Sequence, residues 1–473
     1  MPISTRTKIL ATLGPQSNSK EKIMELIDAG VDGFRLNFSH GTHEEHKVLY
    51  ETVRKVADKK GVHVAVVADL QGPKLRIGEF ANGKVKLKKG QKFTFDMKKD
   101  LGDENRVCLP HKEIFEALKV GDKLLVNDGN IILKVIKVNK TSAVTEVEVG
   151  GVVSGHKGVN LPNSSLKISP LTDKDLKDLN FALDLGVDCI CLSFVQRASD
   201  IKEARKIIGK KAWIISKLEK PQALKELDQI IKASDMVMVA RGDLGVECPV
   251  VTVPLLQKRI VAKCRQLAKP VIVATQMLES MISSPIPTRA EVSDVANAVY
   301  DGCDVVMLSG ETAMGDYPVE TVKTMRGVIE TVETDCRYFE NVNKFQQDHC
   351  CKNESHAITH AASEAVKVLD KVAAVITFSV SGATTLSMAQ ERTELPVIAI
   401  TPSYEIACRL NLVWGVRTHI DKEVFGSLDN IGDVARKYAR NSGFAKEDDF
   451  IVLTAGYPFG KVGLTNVLNI VKV

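Results

Sequence analysis

Charged side chains lie at the ends of two of the most apolar runs in the chain. Lys217 and Glu219 end one run, and Arg241 and Asp243 end the next. Side chains two apart on a strand point the same way, so each pair is predicted to share a face. A carboxylate beside a fixed cation suits chemistry on a polyanionic substrate.

Further polar residues end other apolar runs. They are Arg35, Asn37 and Ser39, then Asp69, Thr275, Ser309 and Glu311. Any one of them could be a helix cap or half of a surface ion pair. If they converge, they supply carboxylates, a lysine and arginines for a divalent cation and an anionic substrate. Ligands that are all oxygen favour Mg²⁺ or Mn²⁺ over Zn²⁺.

Repeated strand and helix patterns must position these residues. Eight apolar runs, each followed by an amphipathic stretch, cover 7–14, 33–38, 64–70, 189–195, 213–219, 236–242, 270–276 and 304–310. This pattern predicts an α/β fold built on a closed (β/α)₈ TIM barrel, whose strand ends gather at one mouth. An error of one unit would give an open sheet instead.

Two other regions depart from the barrel pattern. Residues 72–167 alternate in short strands and turns, which predicts a small β-barrel lid domain inserted into the barrel of 1–71 and 168–341. Residues 342–473 begin with a polar stretch and then alternate again between strands and helices. They predict an open-sheet α/β domain with helices on both sides.

Composition excludes several classes of protein. The 473 residues carry a net charge of only +5, and no arginine-rich run is interleaved with aromatic residues, so nucleic acid is not expected as a partner. No run approaches the roughly 18 apolar residues of a membrane span, and the N-terminus lacks an apolar signal core. Ten cysteines without C-x-x-C spacing favour free thiols, and so a cytoplasmic location.

Seven motifs in this order resemble the pyruvate kinase family. They are RLNFSHG (35–41), DLQGPKLR (69–76), ISKLE (215–219), MVARGDLGVE (238–247), ATQMLESM (274–281), PTRAEVSDVANAVYDG (287–302) and LSGETAMGDYP (308–318). The resemblance covers nearly the whole chain. It implies the last step of glycolysis, with phosphoenolpyruvate, ADP/ATP and pyruvate as partners and a homotetramer as the assembly.

The resemblance assigns roles in phosphoryl transfer. Glu219 and Asp243 would bind Mg²⁺ or Mn²⁺, while Lys217 and Arg35 would neutralise the moving phosphoryl group. The N–H groups of Gly242 and Asp243 would receive the substrate carboxylate. Protonation of the enolate is assigned to Thr275 with Ser309 and water.

Nucleotide contacts are implied for four further residues: Asn37, His40, Arg76 and Lys174. Taken alone, His40 could be a turn residue and Lys174 a surface lysine. Arg76 lies at the start of the insert, whose closure would bring it onto the nucleotide phosphates.

A monovalent cation site is a point of difference within the family. The potassium-binding positions match Asn37, Ser39, Asp69 and the carbonyl of Leu70. Lys74 stands where potassium-dependent members carry glutamate, so its ammonium is predicted to replace K⁺, and K⁺ is not expected to be required. The alternative is that Lys74 faces solvent near the hinge.

A phosphorylated effector is expected in the C-terminal domain. The candidate cradle comprises Ser379, Ser381, Gly382, Ala383, Thr384 and Thr385 at a predicted helix start. The loop 455–466 would close over it. Ser442 stands where animal enzymes place an arginine for a second phosphate, which favours a sugar or nucleotide monophosphate as activator.

Two rival functions remain at this point. Another phosphoenolpyruvate-using barrel, such as an aldolase or a mutase, need not carry the insert, the C-terminal domain or Arg76. A metabolite sensor without turnover would be expected to have lost Lys217, Glu219 or Asp243, and the sequence retains all three.

Overall fold

The computed structural model describes residues 5–162, 164, 166, 168–344, 353–426, 429–459 and 464–473. The chain begins with three strands separated by two helices. These are β1 (Lys8–Thr12), α1 (Lys20–Ala29), β2 (Gly33–Asn37), α2 (His43–Lys60) and β3 (Ala65–Asp69). Both helices start at a hydroxyl N-cap and end at a left-handed glycine, as their sequences predict.

An insert of short strands follows β3. Its elements are β4 (Lys84–Leu87), β5 (Lys92–Asp96), β6 (Arg106–Cys108), α3 (Lys112–Ala117), β7 (Lys123–Val126), β8 (Ile131–Val138), β9 (Ser142–Val149), β10 (Gly151–Ser154) and β11 (Val159–Asn160). The strands pair as one six-stranded and one two-stranded sheet, rather than as a single closed ladder. They enclose an apolar core of their own, which includes Phe93, Phe95 and Leu133.

The chain then returns to the barrel. The strands are β12 (Cys189–Leu192), β13 (Trp213–Leu218), β14 (Met236–Ala240), β15 (Val271–Ala274) and β16 (Val305–Leu308). The helices are α4 (Asp173–Leu185), α5 (Ala198–Ile208), α6 (Leu227–Ala233), α7 (Arg241–Glu247), α8 (Val253–Gln266), α9 (Arg289–Tyr300), α10 (Gly310–Ala313), α11 (Pro318–Glu333) and α12 (Arg337–Lys344).

All eight predicted barrel strands are confirmed. They close in the parallel order β1-β16-β15-β14-β13-β12-β3-β2. The strands are apolar on both faces because side chains such as Leu10 and Met238 fill the barrel interior while Ile9 and Val239 pack against the helices. The register places Asp69 beside Asn37 on one side and Cys191 on the other, so the polar strand ends share one mouth.

The C-terminal region is an open sheet. Its elements are α13 (Glu354–Val368), β17 (Val372–Phe378), α14 (Ala383–Gln390), β18 (Val397–Thr401), α15 (Tyr404–Leu410), β19 (Val416–Ile420), α16 (Ile431–Asn441), β20 (Phe450–Ala455) and β21 (Val467–Lys472). The order is β19-β18-β17-β20-β21, and only β21 is antiparallel. One face packs on α13, α14 and α15, and the other on α16, so the predicted helices on both sides are confirmed.

The C-terminal sheet lies at the end of the barrel opposite the mouth. Asn411 Nδ2 donates to the carbonyls of Asp32 (3.0 Å) and His63 (2.8 Å), which precede β2 and β3. Lys8 Nζ, on β1, donates to the carbonyl of Val416 at 2.9 Å. The domain boundaries at 71/72, 167/168 and 341/342 stay predictions, and 345–352 lies outside the described residues. No helix in the described ranges has the length and apolar character needed to cross a membrane.

Candidate active site

Lys217 occupies the centre of the polar cluster at the barrel mouth. Its Nζ lies 2.9 Å from Glu219 Oε1 and 3.4 Å from Asp69 Oδ1. It also donates to Ser193 Oγ at 2.9 Å. Burial disfavours the charged ammonium, but the carboxylates of Asp69 and Glu219 outweigh that effect and raise the pKa of Lys217. The ammonium therefore stays charged while almost enclosed by protein.

Arg35 flanks the same carboxylate from the other side. Its Nε and Nη2 lie 2.7 and 2.6 Å from Asp69 Oδ2, and its Nη1 donates to Thr12 Oγ1 at 3.1 Å. Burial of Asp69 opposes ionisation, yet Lys217 and Arg35 lower the pKa of its carboxyl group. Asp69 thus holds both cations in place at the mouth.

Glu219 and Asp243 are the two carboxylates predicted to bind the divalent cation, and they are near enough to interact electrostatically. Glu219 is buried, and its Oε2 accepts the N–H of Phe194 at 2.7 Å. Its Oε1 accepts no aligned hydrogen bond from a described residue, although Lys217 is close. Asp243 has an exposed side, yet loss of solvation against the protein and the neighbouring Glu219 carboxylate raise the pKa of Asp243 to about 6.

These observations fit a divalent cation. A cation would give the buried Glu219 Oε1 a second positive partner beside Lys217, and would relieve the repulsion that raises the pKa of Asp243. Within the described ranges, no group of three His, Cys, Asp or Glu residues is arranged to hold a metal ion. The acidic pair would therefore depend on substrate or water oxygens to complete a shell, as Mg²⁺ commonly does.

Arg241 does not share a face with Asp243, and that prediction was wrong. The segment is the first turn of α7 rather than the end of a strand. Residues two apart on a helix diverge, so Arg241 turns away. Its Nη1 lies 2.7 Å from Asp294 Oδ1, and its Nη2 donates to the carbonyl of Thr275 at 2.7 Å. Arg241 braces the neighbouring strand end instead of entering the mouth.

Thr275 sits in a strained turn that follows β15. Its φ of 71° is left-handed, which is unfavourable for a β-branched residue, and Gln276 follows with a φ of 53°. This backbone directs the Thr275 hydroxyl to accept the N–H of Gly242 at 2.8 Å and donate to the carbonyl of Ala274 at 2.6 Å. Ser309 follows β16, where its N–H donates to Glu311 Oε2 at 2.7 Å.

The positions predicted for a monovalent cation lie together. Lys74 Nζ donates to Ser39 Oγ at 3.3 Å, and the N–H of Ser39 donates to Asn37 Oδ1 at 3.2 Å. Leu70 O accepts from Ser193 Oγ at 2.8 Å. Burial, with Arg76 and Lys217 nearby, lowers the pKa of Lys74. Lys74 therefore turns towards this group rather than towards open solvent.

A cleft of about 280 Å³ separates the insert from the mouth. Its charged lining comprises Lys74, Arg76, Asp128, Lys157, Lys220 and Asp243. Arg76 Nη1 donates to the carbonyl of His156 at 3.1 Å, so the guanidinium is held on the insert side. Cations thus outnumber carboxylates in the lining, which suits a polyphosphate.

The two other nucleotide candidates lie beside the turn after β2. Lys174 Nζ donates to Phe38 O at 2.7 Å and pairs with Asp178 at 2.6 Å. His40 is exposed, and its carbonyl accepts from His46 Nε2 at 2.9 Å. Lys174 lies in the first turn of α4, whose N-cap Thr172 forms a capping box with Asp175.

The effector candidates surround the start of α14. Gly382 is the left-handed N-cap, and Ser379 Oγ accepts the N–H of Thr384 at 3.3 Å. The hydroxyls of Thr384 and Thr385 are buried and pair with those of Thr465 (2.9 Å) and Thr377 (2.8 Å). Ser381 and Ala383 are half-buried. Part of the predicted covering loop, residues 460–463, lies outside the described residues.

Sequence reasoning missed several residues that support the mouth. Ser193, Phe194, Lys220 and Glu247 hold or flank Lys217 and Glu219. Ser193 follows an apolar run just as Asp69 and Thr275 do, and that position was the available signal. No local pattern identifies Glu247, because its partners lie 27 and 87 residues away.

Comparison with known proteins agrees with this geometry. The family model for the pyruvate kinase barrel domain matches residues 4–322, and that for the pyruvate kinase alpha/beta domain matches residues 356–471. A pyruvate kinase of Agrobacterium vitis is 45% identical, covering 99% of this chain and 97% of the relative. One from Methylorubrum extorquens is 46% identical over 99% and 98%.

A crystal structure of a pyruvate kinase from Cryptosporidium parvum superimposes with a TM-score of 0.94 at 33% identity, covering 99% of this chain and 96% of that one. The fold and the family resemblance predicted from the motifs are thereby confirmed. The chain belongs to the pyruvate kinase family and is a phosphotransferase.

Proposed function

We propose that this enzyme transfers the phosphoryl group of phosphoenolpyruvate to ADP, giving pyruvate and ATP as the last step of glycolysis. The observation that carries the proposal is the position of the Lys217 ammonium between the carboxylates of Asp69 and Glu219. Arg35 flanks Asp69 on its far side. Such a fixed set of charges suits a reaction whose catalysis is mostly positioning and neutralisation.

In the transfer step, the bond from phosphorus to the enol oxygen breaks and a bond to a β-phosphate oxygen of ADP forms. Lys217 and Arg35 would stabilise the negative charge that spreads over the phosphoryl oxygens. The N–H groups of Gly242 and Asp243 would bind the substrate carboxylate. Because Gly242 N–H donates to Thr275 Oγ1 in the free enzyme, the carboxylate would displace that hydroxyl.

The enolate left after transfer must gain a proton on its methylene carbon. Thr275 would stand near that carbon, with Ser309 and water completing the relay. The strained backbone of Thr275 supports this role, because such strain collects where a functional group must be held in place.

Glu219 and Asp243 would hold Mg²⁺ or Mn²⁺ at the mouth. The bound cation would neutralise the phosphate and carboxylate charges of the substrate. K⁺ would not be required, because Lys74 carries a positive charge 3.3 Å from Ser39 Oγ, within the potassium-site positions. Those positions also include Asn37, Asp69 and Leu70.

ADP would occupy the cleft below the insert. The residues proposed to contact it are Asn37, His40, Arg76 and Lys174. Arg76 is anchored on the insert side, so closure of the insert would carry its guanidinium onto the phosphates and exclude water.

Regulation and assembly extend the proposal. A sugar or nucleotide monophosphate would bind at the start of α14, through Ser379, Ser381, Gly382, Ala383, Thr384 and Thr385. The hydroxyls of Thr384 and Thr385 already pair with other threonine hydroxyls. These two residues would therefore bind the effector phosphate chiefly through their backbone N–H groups. The assembly would be a homotetramer, as the family resemblance implies. A cytoplasmic location agrees with the eight free thiols of the described ranges.

A coupled assay tests the proposed reaction. Phosphoenolpyruvate, ADP and Mg²⁺ should yield pyruvate, and Lys217→Met should lower kcat by about 1,000-fold while leaving the circular dichroism spectrum intact. Absence of pyruvate with the folded wild-type enzyme would favour the sensor or another phosphoenolpyruvate-using barrel.

A further inference from the structure

Both connections between the barrel and the insert rest on one turn. This turn, residues 193–197, joins β12 to α5 and is called here the β12–α5 turn. On the first connection, a Cβ at Gly72 would lie 2.9 Å from Phe194 Cδ2 and 2.9 Å from Ser193 Cβ. Ser193 Oγ also donates to Leu70 O at 2.8 Å. The outgoing chain therefore packs directly on this turn.

The returning connection contacts the same turn. Leu166 O accepts from Gln196 Nε2 at 3.4 Å and from Arg197 Nη2 at 3.2 Å. Ser164 O accepts from Gln222 Nε2 at 2.9 Å, just beyond β13. Motion of the insert must consequently act on groups at the ends of β12 and β13.

The β12–α5 turn also holds the reactive groups of the mouth. The N–H of Phe194 donates to Glu219 Oε2 at 2.7 Å, and Ser193 Oγ accepts from Lys217 Nζ at 2.9 Å. Phe194 has a left-handed φ of 56°, an unfavourable conformation for a bulky residue. The surrounding contacts must fix this backbone, so a change in those contacts would move the donor to Glu219.

Glu247 links the insert to this arrangement. Its Oε1 accepts from Asn160 Nδ2 of β11 at 2.8 Å and forms an ion pair with Lys220. Glu247 and Lys220 are only 4% and 8% exposed, and Glu247 Oε2 has no hydrogen-bond partner in the described chain. Lys220 Nζ lies 5.4 Å from the centroid of the Phe194 ring.

We propose that Glu247 is a positioning residue. It couples the position of β11 to the position of the Glu219 carboxylate, through Lys220 and Phe194. A buried ion pair tolerates little separation, so displacement of Glu247 with Asn160 draws Lys220 along. Lys220 follows Glu219 directly in the chain, and its ammonium lies over the ring of Phe194, whose backbone N–H donates to Glu219. The inference rests on the proposed function in taking Glu219 as a ligand of the divalent cation.

Binding of Mn²⁺ alone, followed by electron paramagnetic resonance of the free ion, tests this coupling without turnover. Asn160→Ala and Glu247→Gln should each weaken Mn²⁺ binding by about 10-fold, as loss of outer-shell support typically does. The double variant should bind Mn²⁺ almost as well as either single variant, because both substitutions break the same contact between Asn160 and Glu247. Hydrogen exchange of peptides covering β11 should rise in all three variants.

Arg54→Met is the matched control. Arg54 pairs with Asp188 at 2.7 Å in another largely buried site, which lies at the base of the barrel. This change should lower Tm and leave Mn²⁺ affinity unaltered. The coupling is overturned if Asn160→Ala keeps wild-type Mn²⁺ affinity, whether or not exchange in β11 increases.

The two proposals can fail separately. A wild-type enzyme that lacks phosphoryl transfer but shows the predicted Mn²⁺ effects would overturn the proposed function alone. An active wild-type enzyme whose Asn160→Ala and Glu247→Gln variants bind Mn²⁺ normally would overturn the coupling alone.

Discussion

At the scale of single residues, the chemistry at the mouth depends on one carboxylate serving two cations. Asp69 pairs with Arg35 through one oxygen and approaches Lys217 with the other. Two positive groups so close together would repel each other strongly in a buried site, and Asp69 offsets that repulsion. The arrangement keeps both cations oriented before any substrate binds, which is the condition for electrostatic catalysis.

Lys74 should make the enzyme independent of K⁺. Wild-type activity in potassium-free buffer is expected to be nearly that with K⁺, because the ammonium already supplies the positive charge beside Ser39. Lys74→Met should lose activity in potassium-free buffer and regain part of it on addition of KCl.

Tetramethylammonium chloride at equal ionic strength is the control, since that cation is too large to enter the site. A steep drop in wild-type activity without K⁺ would contradict the charge-replacement argument.

Asp243 should make stability fall as pH rises when divalent cations are removed. Its folded pKa of about 6 lies above the ordinary aspartate pKa of 3.8, so the folded state binds more protons between these pH values. The free energy of unfolding therefore decreases from about pH 4 to pH 6 and stays lower above that. Asp243→Asn removes this effect and should raise Tm at pH 7.5 relative to wild type, with little change at pH 4.

Thermal melts in EDTA would measure that difference. Glu203→Gln removes a carboxylate from the exposed face of α5 and should change Tm little at either pH. An Asp243→Asn variant no more stable than wild type at pH 7.5 would contradict the predicted sign.

The sequence predicts the grouping at the mouth better than the details of each residue. Lys217 and Glu219 share a face because they end a strand, and alternation on a strand is a local rule. The same rule fails for Arg241, where the chain has already begun α7. The hydroxyls of Thr384 and Thr385 look available in the sequence, but their partners Thr377 and Thr465 come together only in the folded sheet.

At the scale of elements, some strands are easier to recognise in the sequence than others. Barrel strands were predictable because they are continuously apolar. In contrast, β19 is hard to recognise in the sequence, because Arg417 and His419 interrupt its apolar pattern at the edge of the C-terminal sheet. An edge strand is covered on fewer sides, so its sequence carries a weaker signal.

Gly72 should be essential to the first connection of the insert. Its φ is +68°, and an added Cβ would meet Phe194 and Ser193 at 2.9 Å. Gly72→Ala is expected to cost about 1–2 kcal/mol for the left-handed backbone. Overpacking against the β12–α5 turn should add about 1–3 kcal/mol. Chemical denaturation measures the sum, and kcat should fall as well because the turn holds Glu219.

Gly61→Ala separates the two contributions. Gly61 has a similar φ of +64° but no atom within 4 Å of an added Cβ. Its variant should show the backbone cost alone and keep full kcat. Equal destabilisation by the two substitutions would mean that packing on the turn contributes nothing.

At the scale of the whole molecule, the three regions are joined by polar contacts at opposite ends of the barrel. The insert meets the mouth through Glu247 and the β12–α5 turn, whereas the C-terminal sheet meets the base through Asn411 and Lys8. An effector signal from the start of α14 would therefore have to cross the barrel to reach the mouth. The buried packing of the barrel interior supplies a rigid path between the two ends.

Arg392 is expected to hold the C-terminal domain to the base of the barrel. It follows α14, and its Nη2 lies 3.1 Å from Asp304 Oδ1 and donates to Gly302 O at 3.1 Å. Its guanidinium stands 4.6 Å from the ring centroid of Trp414, and the side chain is almost fully buried. Arg392→Met would leave Asp304 short of a buried partner, a loss that typically costs about 3–5 kcal/mol.

Loss of this ion pair should mainly destabilise the junction between the C-terminal domain and the barrel. In the Arg392→Met variant, the C-terminal domain should therefore separate before the barrel unfolds. Calorimetry should then resolve two transitions, and Trp414 fluorescence should change in the first of them, because the indole N–H loses its hydrogen bond to the Tyr338 hydroxyl, at 2.9 Å, when the domain separates. Arg337→Met, which removes an exposed arginine paired with Asp335, should leave a single transition at the wild-type midpoint. If Arg392→Met also unfolds in one step at that midpoint, the junction depends on apolar packing rather than on this buried pair.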